Sequence, residues 1–191
     1  MRKIYLLMFA LMLCFSMANA QVIEGTVLKS WDGASGSIEI PANVTEIADN
    51  CFYSPAEEDP DTWEVIGEEK SNTNITNIKL NNVKKIGKNA FKGCSNIESI
   101  DAPNVEIVGD EAFARCEKLA TLALPNIKNV GVGAFQGCEQ LKEIAIGKSL
   151  TTISGSSFKN CKALTTISIE DGGGYKALQN AIISPNKTLV Y

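Results

Sequence analysis

The sequence predicts a repeat solenoid. The expected array is right-handed and curved, with about five coils of 22–23 residues and parallel strands on the concave face. A strand should cap its N-terminal end and a hairpin its C-terminal end. Three observations carry this. Phe91, Phe113, Phe135 and Phe158 recur at intervals of 22, 22 and 23 residues. Cys94, Cys116, Cys138 and Cys161 keep the same intervals, three residues after each Phe. Further apolar columns share the phase, among them Ile97/Leu119/Leu141/Leu164 and Ile100/Leu122/Ile144/Ile167. Independent columns in one register specify stacked units, each of which buries its apolar residues only against its neighbours.

The elements follow in chain order. Residues 1–20, MRKIYLLMFALMLCFSMANA, read as a secretory leader: Arg2 and Lys3, an apolar run from Ile4 to Leu13, then Ala18-Asn19-Ala20 as a cleavage site before Gln21. Cys14 raises lipid anchoring as an alternative, although Leu13 before it is not the small residue such a signal wants. Residues 21–191 then form one domain. Residues 21–35 are an irregular N-terminal strand cap with Trp31 available as a lid, and residues 36–170 are the repeats. A disguised first copy, IPANVTEIADNCFYS, places Phe52 under Phe91 and Ile47 under Ile86, but the interval is 39 residues. An acidic, loop-like insertion at 54–72 accounts for the excess. Within each copy the L-x-x-I-x-I stretch alternates apolar with polar, the period of a half-buried strand. Residues 171–191 are the C-terminal cap. There Gly172-Gly173-Gly174 reads as a flexible exit, and NAIISPNKTLVY as a hairpin around Pro185-Asn186-Lys187.

These residues resemble a known family. IGKNAFKGCSNIESI, VGDEAFARCEKLATLALP, VGVGAFQGCEQLKEIAI and ISGSSFKNCKALTTISI follow the BspA-like, or Treponema pallidum-type, leucine-rich repeat. Cys51 and Ser157 stand where the pattern has Ala before the Phe, and the first copy is interrupted. The resemblance implies a leucine-rich-repeat array at the surface of a host-associated bacterium. It also implies adhesion to a host matrix protein, a host cell or another microbe as the function.

Composition narrows the chemistry. Formal net charge is −4, and without residues 1–20 the chain holds 16 Lys and Arg against 22 Asp and Glu, which argues against a nucleic-acid partner. There is no histidine, so Ser-His-Asp and Cys-His catalysis and His-ligated metals are excluded. Asp101 and Glu143 lie two coils apart on the strand face, about 10 Å by rung counting, too far for an acid–base pair. No enzymatic activity, cofactor or metal is expected. Of the five cysteines in the mature chain, Cys51, Cys94, Cys116, Cys138 and Cys161, four share one column. Buried thiols, at least one disulfide, and a metal site are the alternatives for them.

Two surfaces are candidates for a ligand. Outward positions of the strand face include Glu39, Asn77, Lys79, Ser99, Asp101, Thr121, Glu143, Thr166 and Ser168, small, polar and without an aromatic. The insertion places Glu58, Asp59 and Asp61 around Trp63, a pattern open to simple solvation, protein contact or loose calcium binding. The expected function is an exported, non-enzymatic, adhesin-like module for a host matrix or cell-surface protein. An exported accessory scaffold, for instance in glycan uptake, is the alternative.

Overall fold

The computed structural model describes residues 20–58, 62, 64–178 and 181–183. Among them the chain is a β-solenoid of about six turns, with parallel strands and no helix. Each coil contributes two strands. The first lies in a bridging sheet formed by Val27–Trp31, Glu46–Ile47, Lys85–Ile86, Ile107–Val108, Asn129–Val130 and Thr152–Ile153, all parallel. The second lies on the strand face: Gly36–Glu39, Ile75–Lys79, Ser99–Asp101, Thr121–Leu124, Glu143–Ile146 and Thr166–Ile169. The coil count exceeds the expected five because Val27–Trp31 is itself a rung, paired in parallel with Glu46–Ile47. Among the described residues Gln21–Glu24, antiparallel to Val27–Trp31, covers the N-terminal edge.

Inside each coil the apolar columns stack like on like. The Phe52, Phe91, Phe113, Phe135 and Phe158 rings lie in one file, with successive centroids 4.7, 5.1, 5.6 and 5.6 Å apart. Trp31 takes the Phe position in the first coil, tilted against Phe52 at 6.4 Å. Left-handed residues flank the rings: Asn89 and Gly93 around Phe91, Glu111 and Arg115 around Phe113, Gly133 and Gly137 around Phe135. Two such residues per turn stop the A-F-x-x-C stretch from winding into a helix. The turn backbone is instead tied between coils. The amides of Phe91, Phe113 and Phe135 donate to the carbonyls of Ala112, Ala134 and Ser157, each at 2.8 Å. Ser157 fits because its buried hydroxyl donates to the Ser154 and Gly131 carbonyls, at 2.7 and 3.0 Å.

The cysteine column is buried, and the five cysteines among the described residues are free thiols. Cys116, Cys138 and Cys161 donate through Sγ to the carbonyls of Phe91, Phe113 and Phe135, one coil back, at 3.4, 3.2 and 3.1 Å. A small apolar residue with a weak donor suits this place. Burial pushes the Cys51 and Cys94 thiols up to about 12. Cys116 rises well above its ordinary value for the same reason.

The C-terminal end differs in detail from expectation. Lys176–Leu178 pairs antiparallel with Ala181–Ile183, so the hairpin lies upstream of the anticipated turn. Pro185-Asn186-Lys187 fall outside the described residues. Within the glycine run, a Cβ at Gly173 would collide with the Lys148 carbonyl oxygen, so the backbone passes close to the preceding coil there. The expected leader, residues 1–20, lies outside the described residues but for Ala20. Among the described residues no helix is long and apolar enough to cross a membrane.

Candidate functional site

The strand face presents the third and fifth positions of each L-x-x-I-x-I unit, because the apolar residues between them turn inward: Ile38, Ile78, Ile100, Leu122, Ile144 and Ile167 are all buried. The nine predicted residues fall on two sheets of the strand face, whose adjoining strands Ser99–Asp101 and Thr121–Leu124 are neighbours. Face strands of the first three coils make one three-stranded sheet, and those of the last three make another. No ladder joins Ser99–Asp101 to Thr121–Leu124.

The first sheet brings five of the nine together. Register aligns Ser37 with Asn77 and Ser99, and Glu39 with Lys79 and Asp101. Asn77 Nδ2 donates to Ser37 Oγ at 3.1 Å, and Ser99 Oγ donates to Asn77 Oδ1 at 2.6 Å. In the neighbouring row Lys79 Nζ reaches Glu39 Oε1 at 3.2 Å, and Asn81 Nδ2 donates to the same oxygen at 3.0 Å. The Asn81 hydrogen bond first, then Lys79, holds the Glu39 carboxyl below its usual range. Ser37, Glu39, Asn77, Lys79, Ser99 and Asp101 line a shallow recess of about 400 Å³. Its charge alternates along the row: carboxylate, ammonium, carboxylate.

The second sheet holds the other four in a plainer setting. Thr121, Glu143 and Thr166 align, beside Ala123, Ala145 and Ser168. They line a recess of about 210 Å³. Below it Pro125, Ile146, Gly147 and Ile169 border a more apolar hollow of about 340 Å³.

The insertion leaves the array after Phe52 and returns before Ile75. Tyr53–Ser54 pairs with Lys70–Ser71 at its base, and Glu57–Glu58 pairs with Val65–Ile66 further out. The base is fastened to the next two coils. Lys92 Nζ lies 5.0 Å from the Tyr53 ring centre and 3.0 Å from Glu111 Oε2. Arg115 approaches Glu69 at 4.0 Å. Burial first, then the hydrogen bond with Glu69, raises the Tyr53 phenol above its ordinary value. Glu58 belongs to a strand, while Asp59, Asp61 and Trp63 lie outside the described residues. Sequence reasoning missed Val65 and Ile66, which are exposed here. The available signal was two β-branched residues inside an otherwise acidic run. Among the described residues no three His, Cys, Asp or Glu gather as a metal site would need.

Residues 68–188 match the BspA type leucine-rich repeat region, in six copies. The chain belongs to the BspA-type leucine-rich repeat family. Solved structures agree on the fold. A leucine-rich repeat protein of T. pallidum is 20% identical with a TM-score of 0.63, the match covering 78% of this chain and 68% of that one. A leucine-rich repeat protein of Bacteroides ovatus is 26% identical with a TM-score of 0.60, over 80% of this chain and 39% of that one. The pneumococcal vaccine antigen PcpA is 20% identical with a TM-score of 0.53, over 89% of this chain and 52% of that one. This BspA-type chain thus spans about half or less of the latter two proteins. No curated protein matches it.

Proposed function

We propose that the chain is an exported, non-enzymatic binding module. In this reading it recognises a protein at a host or microbial surface through the strand face of its first three coils. One observation carries the reading. Glu39, Asn77, Lys79, Ser99 and Asp101, on three different coils, converge on one recess already ordered by hydrogen bonds. Side chains held in place before binding lose less freedom when a partner arrives. Alternating charges define a register that a complementary partner must match. Membership of a repeat family built as a binding scaffold supports this, as does the leader-like N-terminus.

The test is a binding panel of matrix proteins and polysaccharides against residues 21–191 at physiological salt. A protein hit should weaken at least about tenfold in Lys79→Ala/Asp101→Ala, the size expected when central polar contacts are truncated. A hit that survives both changes and Asn77→Ala overturns the site. A glycan hit in place of a protein hit moves the reading to an uptake accessory. Export is tested separately, by mass spectrometry of the protein from its natural source for a chain beginning at Gln21.

A further inference from the structure

Val65 and Ile66 are 66% and 47% exposed, and they sit side by side on the outer strand of the insertion. Successive strand residues face opposite sides, so Val65 and Ile66 each stand exposed on a different face of this strand pair. Beside them is a recess of about 470 Å³ between the two short strand pairs, walled by Pro55 and Ile66 and carrying Glu57, Glu68 and Lys70 at its rim.

Charge decides what fits there. Residues 55–72 hold seven Asp and Glu and one Lys. Removing those seven from 22 leaves 15 acidic residues, and removing Arg2, Lys3 and Lys70 from 18 leaves 15 basic ones. The mature solenoid is therefore neutral without its insertion, and the whole net negative charge rides on the insertion. A field concentrated on one projection steers cationic partners to it and repels anionic ones.

We propose that the insertion is a second docking element, built for a basic protein surface. A Lys or Arg side chain of the partner enters the recess, its methylenes against Pro55 and Ile66 and its charged head toward Glu57 and Glu68. Long cationic side chains pack this way, stem on apolar surface and head on carboxylate. This inference stands apart from the strand-face reading, since the residues do not overlap.

The experiment is selection of phage-displayed peptides on immobilised residues 21–191. Enriched peptides should carry Lys or Arg. Synthetic copies, followed by fluorescence anisotropy, should bind at least about tenfold more weakly to Val65→Ser/Ile66→Ser. They should also weaken as salt rises from about 50 to about 300 mM, as screening shortens the field. Lys79→Ala/Asp101→Ala should leave their binding unchanged. Unchanged thermal midpoints in both variants show that the fold is intact. No enrichment, enrichment of peptides without basic residues, or equal binding to Val65→Ser/Ile66→Ser overturns the proposal. Loss confined to Lys79→Ala/Asp101→Ala also overturns it, while supporting the strand face.

Discussion

Phe113→Ala tests how the array is held together. The ring is 1% exposed and lies between Phe91 at 5.1 Å and Phe135 at 5.6 Å. Truncating such a ring costs about 3–5 kcal/mol through lost transfer energy and the cavity left behind. That is a large share of the roughly 5–15 kcal/mol that holds a domain folded. The position adds a second effect. Phe113 sits at the junction of the third and fourth coils, where the face strands share no ladder. The junction retains the Ile86–Val108 bridging pair, the Phe91 amide on Ala112, the Cys116 thiol on the Phe91 carbonyl and the Lys92–Glu111 ion pair. In a stacked array each coil is stabilised by its neighbours alone, so weakening one junction lets the two halves unfold separately. Urea titration of residues 21–191, followed by circular dichroism, should show a lower midpoint and a shallower slope. Phe158→Ala, equally buried but in the last coil, should lower the midpoint while keeping the slope nearer to that of the parent. A Phe113→Ala loss below about 1.5 kcal/mol with an unchanged slope would refute the reasoning, because it falls short of the ordinary cost of a buried ring.

Three further outcomes are expected. The Cys51 and Cys94 thiols should resist a disulfide reagent at pH 8 and react only on unfolding, because burial holds them near 12 and thiolate is the reactive form; rapid labelling of either one in the native chain would contradict this. Stability should fall as pH rises from about 9 toward 12. There the unfolded chain loses the Cys51 and Cys94 thiol protons that the folded chain keeps, at about 1.4 kcal/mol per pH unit for each of the two. Denaturation midpoints at pH 8 and pH 10.5 check the sign, and Cys94→Ala should flatten the slope. Gly109→Ala should cost about 1–3 kcal/mol, since its Cβ would lie 2.8 Å from the Gly87 carbonyl carbon and the Lys88 nitrogen, both backbone atoms that cannot step aside. Gly25→Ala, with nothing within 4 Å of its Cβ, should cost only its left-handed backbone, and thermal midpoints compare the two.

The repeat was legible in the sequence because stacking puts the same residue in the same place once per coil. The Phe file, the Cys file and the inward isoleucines could be read off at a spacing of 22 or 23 residues. So could the outward polar positions, since alternation in a strand fixes which side chains face away. The first coil was not legible, because VLKSW shares none of the A-F-x-x-C wording. Its place as a rung rests on backbone pairing with Glu46–Ile47 and on Trp31 standing over Phe52. Backbone pairing leaves little trace in residue identity. The division of the strand face into two sheets was equally hidden, as Ser99–Asp101 and Thr121–Leu124 carry the same alternation as their neighbours. The sequence by itself determined what each coil buries and what it shows to solvent, because periodicity encodes facing. Only the tertiary structure decided which outward residues meet: Asn77 with Ser37 and Ser99, and Lys79 with Glu39, are separated by 22 to 40 residues of chain. The repeat columns set which positions stack, but which of the stacked side chains bond depends on their conformations in the folded array.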